Sequence, residues 1–134
     1  MAIFPCGCRR DCVGTALVAS AIIGVLTAFF QITAVIAVAP VFLWVALGIA
    51  VVYLGILEMA TARAGRAERG CCRALSAVLT GILGTALFAV VLLAVGIVAT
   101  SVVSAILVGL LLFFLTLTLT ATACFVKCLA DCED

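Results

Sequence analysis

Residues 58–73 read EMATARAGRAERGCCR. This stretch holds Glu58, Glu68, Arg63, Arg66, Arg69, Arg73 and the adjacent pair Cys71-Cys72. On either side of it the chain carries no formal charge over a long distance, from Val13 to Leu57 and from Ala74 to Val126. As single helices these runs would measure about 70 Å and about 80 Å at a rise of about 1.5 Å per residue. A bilayer core is about 30 Å thick. Each run is too long to cross once and long enough to cross twice, so each must fold back on itself.

Composition points the same way. Of 134 residues, 69% are hydrophobic and 10% charged, against about half and about a quarter in soluble domains. A small domain has too much surface to hide that apolar fraction, so most of the chain must face lipid. The net charge of +1 gives no electrostatic basis for binding nucleic acid. With no histidine in the chain, Ser-His-Asp and Cys-His catalysis are excluded within it.

The expected fold is an all-α integral membrane protein. Four transmembrane helices form two hairpins packed as a bundle, with both termini inside. Residues 1–12 (MAIFPCGCRRDC) form a cysteine-rich head. Hairpin 1 covers 13–57, with helices at about 13–38 and 41–57. Pro40 is the breaker, since it lacks an N–H and suits the first turn of a new helix. Trp44 then falls about a turn from the reversal, in the aromatic belt. The basic loop is 58–73. Hairpin 2 covers 74–126, with helices at about 74–98 and 102–125. Thr100 or Ser101 is the candidate N-cap of the last helix. Residues 127–134 form an acidic, cysteine-containing tail. Ala37-Val38-Ala39 resembles a signal cleavage site, but the apolar run before it is about twice a signal core, and a proline would follow the cut.

Orientation follows from charge. Four spans put head, central loop and tail on one membrane face. That face takes all seven basic residues, Arg9, Arg10, Arg63, Arg66, Arg69, Arg73 and Lys127. The positive-inside rule therefore expects both termini in the cytoplasm, the membrane being the inner membrane of a bacterium. The acidic tail (Asp131, Glu133, Asp134) is expected to lie against the basic loop. The expected partners are the lipid bilayer and either a second copy or another membrane protein.

Lipid supplies no hydrophobic drive between helices, so small residues mark the seams. The candidates are Ala16, Ser20, Gly24 and Ala28 on helix 1, and Ala77, Gly81, Thr85 and Ala89 on helix 3. On helix 4 they are Ser101, Ala105 and Gly109. Thr116, Thr118, Thr120 and Thr122 alternate as in a strand, but a lone strand leaves its backbone unsatisfied in lipid. They are read as helical, each hydroxyl bonding back to a carbonyl one turn earlier. Gln31 is expected to bond a neighbouring helix end. The two halves also resemble each other faintly, Gly24-Val25-Leu26 against Gly81-Ile82-Leu83, as a hairpin duplication would.

The eight cysteines form three clusters: Cys6, Cys8 and Cys12; Cys71 and Cys72; and Cys124, Cys128 and Cys132 at a spacing of four. All fall on the charged face. Three readings compete. Thiolates could hold zinc or an iron–sulfur centre, eight sulfurs making two sites of four. They could pair as disulfides, which requires an oxidising side or an unusual host. They could be reduced packing residues or redox sensors. Four-helix quinone-linked disulfide oxidases and the vitamin K epoxide reductase family share the size and span count. Those proteins use CxxC on the outer side, and CxxC is absent here. No charged residue lies deep in a span, unlike the small multidrug transporters with their embedded glutamate.

The leading functional reading is a non-enzymatic structural or interaction membrane protein with a cysteine-organised cytoplasmic cap. The alternatives are a membrane redox or electron-transfer protein and a small transporter or channel. The last needs an axial cavity lined by Ser20, Thr85, Thr116 and Thr120.

Overall fold

The computed structural model describes residues 10–35, 38–64, 72–95 and 101–133. They form four helices, α1 (Arg10–Ile32), α2 (Pro40–Ala64), α3 (Cys72–Val95) and α4 (Val102–Glu133). Within them lie four segments long and apolar enough to cross a membrane: Cys12–Ile32, Pro40–Met59, Leu75–Val95 and Val102–Lys127. The last helix runs well beyond its apolar part, carrying the tail as helix to Glu133.

The solvent logic is that of a membrane protein. Large apolar side chains point outward, Val25 at 70% exposure and Leu83 at 62%, while Ser20 and Gln31 are fully enclosed at 0%. In water this arrangement would sacrifice the apolar burial that holds soluble folds together. In lipid the outward residues cost nothing, and the interior is free to take small and polar residues.

Chain order does not predict which helices touch. α4 is the centre of the bundle, packed along both α1 and α3, and α2 packs on α3. α1 and α2, though consecutive, make almost no backbone approach to each other. Two core clusters lie at opposite ends. One gathers Val13, Ala50, Leu57, Val78, Ile82, Ala121 and Phe125 from all four helices, at the charged rim. The other holds Leu43, Ala89, Leu92, Val108 and Leu111 from α2, α3 and α4, at the far end. This pairing makes neighbouring helices antiparallel. It brings the start of α1, the end of α2, the start of α3 and the end of α4 to one rim.

The first reversal differs from the expectation in one detail. α1 stops at Ile32, well before Pro40. The stop is a C-cap with Ala34 in the left-handed region, φ 56°. The Val35 N–H donates to the Phe30 carbonyl at 3.1 Å and the Ala34 N–H to the Gln31 carbonyl at 3.2 Å. These two bonds make a Schellman motif, which absorbs carbonyls a helix end would otherwise leave bare. Pro40 opens α2 as anticipated, and the Phe42 N–H bonds the Ala39 carbonyl at 3.0 Å. Ser101 is the residue before α4, and its carbonyl accepts the Ala105 N–H at 3.0 Å.

Candidate functional site

The seam between α1 and α4 carries the chemically pointed features of the described residues. It begins at the charged rim with a disulfide. Cys12 is in the first turn of α1, Cys124 is near the end of α4, and their sulfurs are 2.00 Å apart with Cα atoms 6.2 Å apart. That Cα separation lies within the normal range for a disulfide. The bond joins residues 112 positions apart in sequence, so it ties the first span to the last. Cys12 and Cys124 line an open groove of about 420 Å³ together with Thr15, Ala16, Ala19 and Thr120.

Further along, the two helices come into backbone contact. A Cβ added at Gly24 would lie 2.9 Å from the Gly109 carbonyl oxygen, and one added at Gly109 would lie 2.8 Å from the Gly24 carbonyl oxygen and 2.8 Å from the Ala28 Cβ. Only glycine at both positions permits this crossing. Ala16 and Ser20 occupy the same buried stripe of α1, at 5% and 0% exposure. The seam between α3 and α4 is built in the same way. A Cβ on Gly81 would meet the Thr118 Oγ1 at 2.5 Å, and one on Gly84 would run into the Phe114 ring. Thr85 and Ala89 continue this face of α3 at 1% and 0% exposure, and Ala77 is partly buried against the rim cluster. Ala105, at 0%, precedes Gly109 by one turn on α4.

The buried hydroxyls of Ser20, Thr27, Thr85 and Thr118 are bonded within their own helices. Ser20 Oγ donates to the Ala16 carbonyl at 2.7 Å, Thr27 to Ile23 at 2.8 Å, and Thr85 to Gly81 at 2.8 Å. On α4, Thr118, Thr120 and Thr122 donate to Phe114, Thr116 and Thr118 at 2.8, 2.7 and 2.6 Å. All four alternating threonines are therefore helical, not a strand, and Thr118, Thr120 and Thr122 bond back to the carbonyls four before them. Gln31 is different. It lies buried at 0% exposure, and its Oε1 and Nε2 have no hydrogen-bond partner among the described residues. The expected bond to a neighbouring helix end is not made. Ser104 Oγ, on α4, is the other buried polar atom in the same condition.

The remaining candidates divide by location. Cys72 opens α3 and Arg73 follows it, while Cys128 and Cys132 lie on the last turns of α4. Arg10 starts α1, Arg63 lies in the last turn of α2, and Lys127 is exposed on α4. Cys6, Cys8, Cys71, Arg9, Arg66 and Arg69 lie outside the described residues, and so does the expected contact between tail and loop. Among the described residues no group of three or more Cys, Asp or Glu side chains is arranged to hold a metal. Two sulfurs are committed to each other, so two sites of four thiolates cannot be assembled from the six that remain.

The disulfide is what the sequence left open. Cysteine spacing alone allowed many pairings. The pair becomes identifiable only once α1 is known to lie antiparallel to α4. No family model, no curated protein and no solved structure matches this chain.

Proposed function

We propose that this chain is a structural or interaction protein of the membrane, a four-span bundle latched at its charged rim by the Cys12–Cys124 disulfide. The observation that carries the reading is the position of that bond. It closes the α1–α4 seam, and that seam is almost the whole of α1's contact with the bundle. Further along, the seam is closed by the close contacts of Gly24 and Gly109. Ser20 and Thr85, two of the four residues an axial channel would need, are sealed in and bonded to their own backbones.

The charge distribution supports a cytoplasmic rim, all seven basic residues lying in head, loop and tail. A glutathione pool reduces exposed or strained disulfides first. The bond borders an open groove, so the latch persists in a reducing compartment only where the packing of α1 on α4 holds the two sulfurs together against exchange. The test is labelling with a membrane-impermeant maleimide, before and after permeabilisation and with and without reductant. The reading expects no thiol modified from outside. After permeabilisation it expects Cys12 and Cys124 modified only once reduced. Labelling from outside would refute the sidedness, and labelling without reductant would refute the latch.

A second reading, a thiol-redox protein, draws on the groove beside the disulfide, through which a small dithiol could approach sulfur. It expects the bond to exchange with such a dithiol as fast in the folded protein as in an unfolded one. The structural reading expects exchange to be strongly retarded by folding.

A further inference from the structure

The groove beside the disulfide lies on the outer edge of the α1–α4 seam. Its lining is Cys12, Thr15, Ala16, Ala19, Thr120 and Cys124. On α1, Thr15 is exposed and Ala19 half-buried. Val13, turned about 200° from Thr15 at about 3.6 residues per turn, belongs instead to the core cluster. On α4, Thr120 stands between Leu119, exposed at 48%, and Ala121, buried at 0%. The groove therefore opens outward, where the bilayer would be, and not into the bundle interior. Its long axis follows the helices, since Cys12 to Ala19 covers about 10 Å of α1. Cys12 is also the first residue of the first apolar span, so the groove starts at the membrane boundary and descends into the hydrocarbon. Ala16 and Ala19 leave space there that longer side chains would fill. The Thr120 hydroxyl is bonded to the Thr116 and Leu117 carbonyls of its own helix, and both sulfurs are bonded to each other.

A cation marks the shallow end. Lys127 follows Thr120 by about two turns, on nearly the same line of α4. It is exposed, and it is the last residue of the last apolar span. Asp11 and Asp131 fall just outside the two spans, so this part of the rim carries both signs. We propose that the groove holds one acyl chain of a phospholipid whose phosphate meets Lys127. Three features choose this occupant. A groove that opens on the bilayer meets lipid at a higher concentration than any other ligand. Acyl chains run across the membrane, as the spans and the groove between them do. The apolar slot and the cation stand in the order, deep and then shallow, in which a phospholipid carries its chain and its phosphate. Because acidic residues flank the same level, the group selected is the phosphate itself and not a net negative headgroup. The proposal holds for either side of the membrane, so it does not depend on the sidedness of the rim.

The test is native mass spectrometry of the full-length, disulfide-bonded protein released from micelles, with phosphatidylethanolamine or diacylglycerol of the same chain length added. The expected result is a single phosphatidylethanolamine adduct that outlasts all other bound lipid as the collision energy rises. Diacylglycerol should be retained about 5-fold less, the weight of one basic side chain near lipid phosphate. Lys127→Gln should erase that difference. Ala19→Leu, which fills the groove, should lose the adduct, and Thr15→Leu should do the same from an exposed position. Gly48→Leu, on the exposed face of α2, should leave it unchanged. Retention of the Cys12–Cys124 disulfide reports that each variant has folded. If no adduct outlasts the rest, or if both groove variants behave like Gly48→Leu, the acyl site is overturned. A difference between the two lipids that persists in Lys127→Gln would overturn the role of Lys127. A protein dimer in place of the adduct would assign the groove to a second copy and overturn the proposal.

Discussion

Substituting alanine for glycine across the helices is the sharpest perturbation, because the structure divides the glycines into two sets. At Gly24 a new Cβ would sit 2.9 Å from the Gly109 oxygen and 3.0 Å from the Phe113 Cβ; at Gly109 the closest approaches are both 2.8 Å. Ordinary contact with carbon is about 3.5–4.0 Å, so each methyl arrives roughly 0.5–1 Å too close. The obstructing atoms are backbone oxygens and Cβ carbons, which have no rotamer to retreat into. The helices must part instead, and overpacking of this kind costs about 1–3 kcal/mol. At Gly48 and Gly55 nothing lies within 4 Å. Alanine there should be neutral or favourable by up to about 1 kcal/mol, the helix-propensity difference. The disulfide supplies the assay. Its equilibrium with glutathione in micelles depends on how well α1 docks on α4. Gly24→Ala and Gly109→Ala should shift that equilibrium toward the reduced form by about 5- to 150-fold relative to Gly48→Ala, which corresponds to about 1–3 kcal/mol. The double variant should fall short of the sum, because either methyl opens the gap the other needs. If Gly24→Ala and Gly48→Ala shift the equilibrium alike, the close α1–α4 crossing is refuted.

Three further outcomes are expected. Trypsin cutting between Arg63 and Arg73 should leave the two halves joined on a non-reducing gel and separate on a reducing one, because Cys12 and Cys124 lie on opposite sides of the cut; halves that separate without reductant would disprove the pairing. Ala34→Gly should raise stability to thermal or detergent denaturation by about 1 kcal/mol, the cost a Cβ adds in the left-handed region, whereas Ala34→Val should lower it; a destabilised glycine variant would contradict the cap. Thr118→Val should change stability by less than about 1 kcal/mol, since its hydroxyl bonds its own helix and such bonds add little in membranes. A large loss would instead mean that the hydroxyl serves a polar path between helices.

The four spans were readable because each boundary rests on a local property. Arg63 to Arg73 cannot enter lipid, and Val13–Leu57 cannot cross it only once. Pro40 marked the start of α2 for an equally local reason. The end of α1 was less legible. It depends on Ala34 adopting a conformation that glycine usually takes, and alanine gives no sign of it. The residues of the α1–α4 crossing stood out as a stripe of small side chains, but the stripe could not name its partner. Nothing in the surroundings of Gln31 announced that it would be buried without a bond.

Water exclusion acts on each segment by itself, so hydropathy and charge along the chain were enough to determine the number of spans. Partner choice was decided only by the tertiary structure. In lipid an apolar side chain is equally at ease outward or inward, so the helices carry little periodic signal to say which face meets which. Contact at Gly24 and Gly109 set α1 against α4 rather than against α2, its neighbour in sequence. That docking, and no spacing rule, brought Cys12 to Cys124.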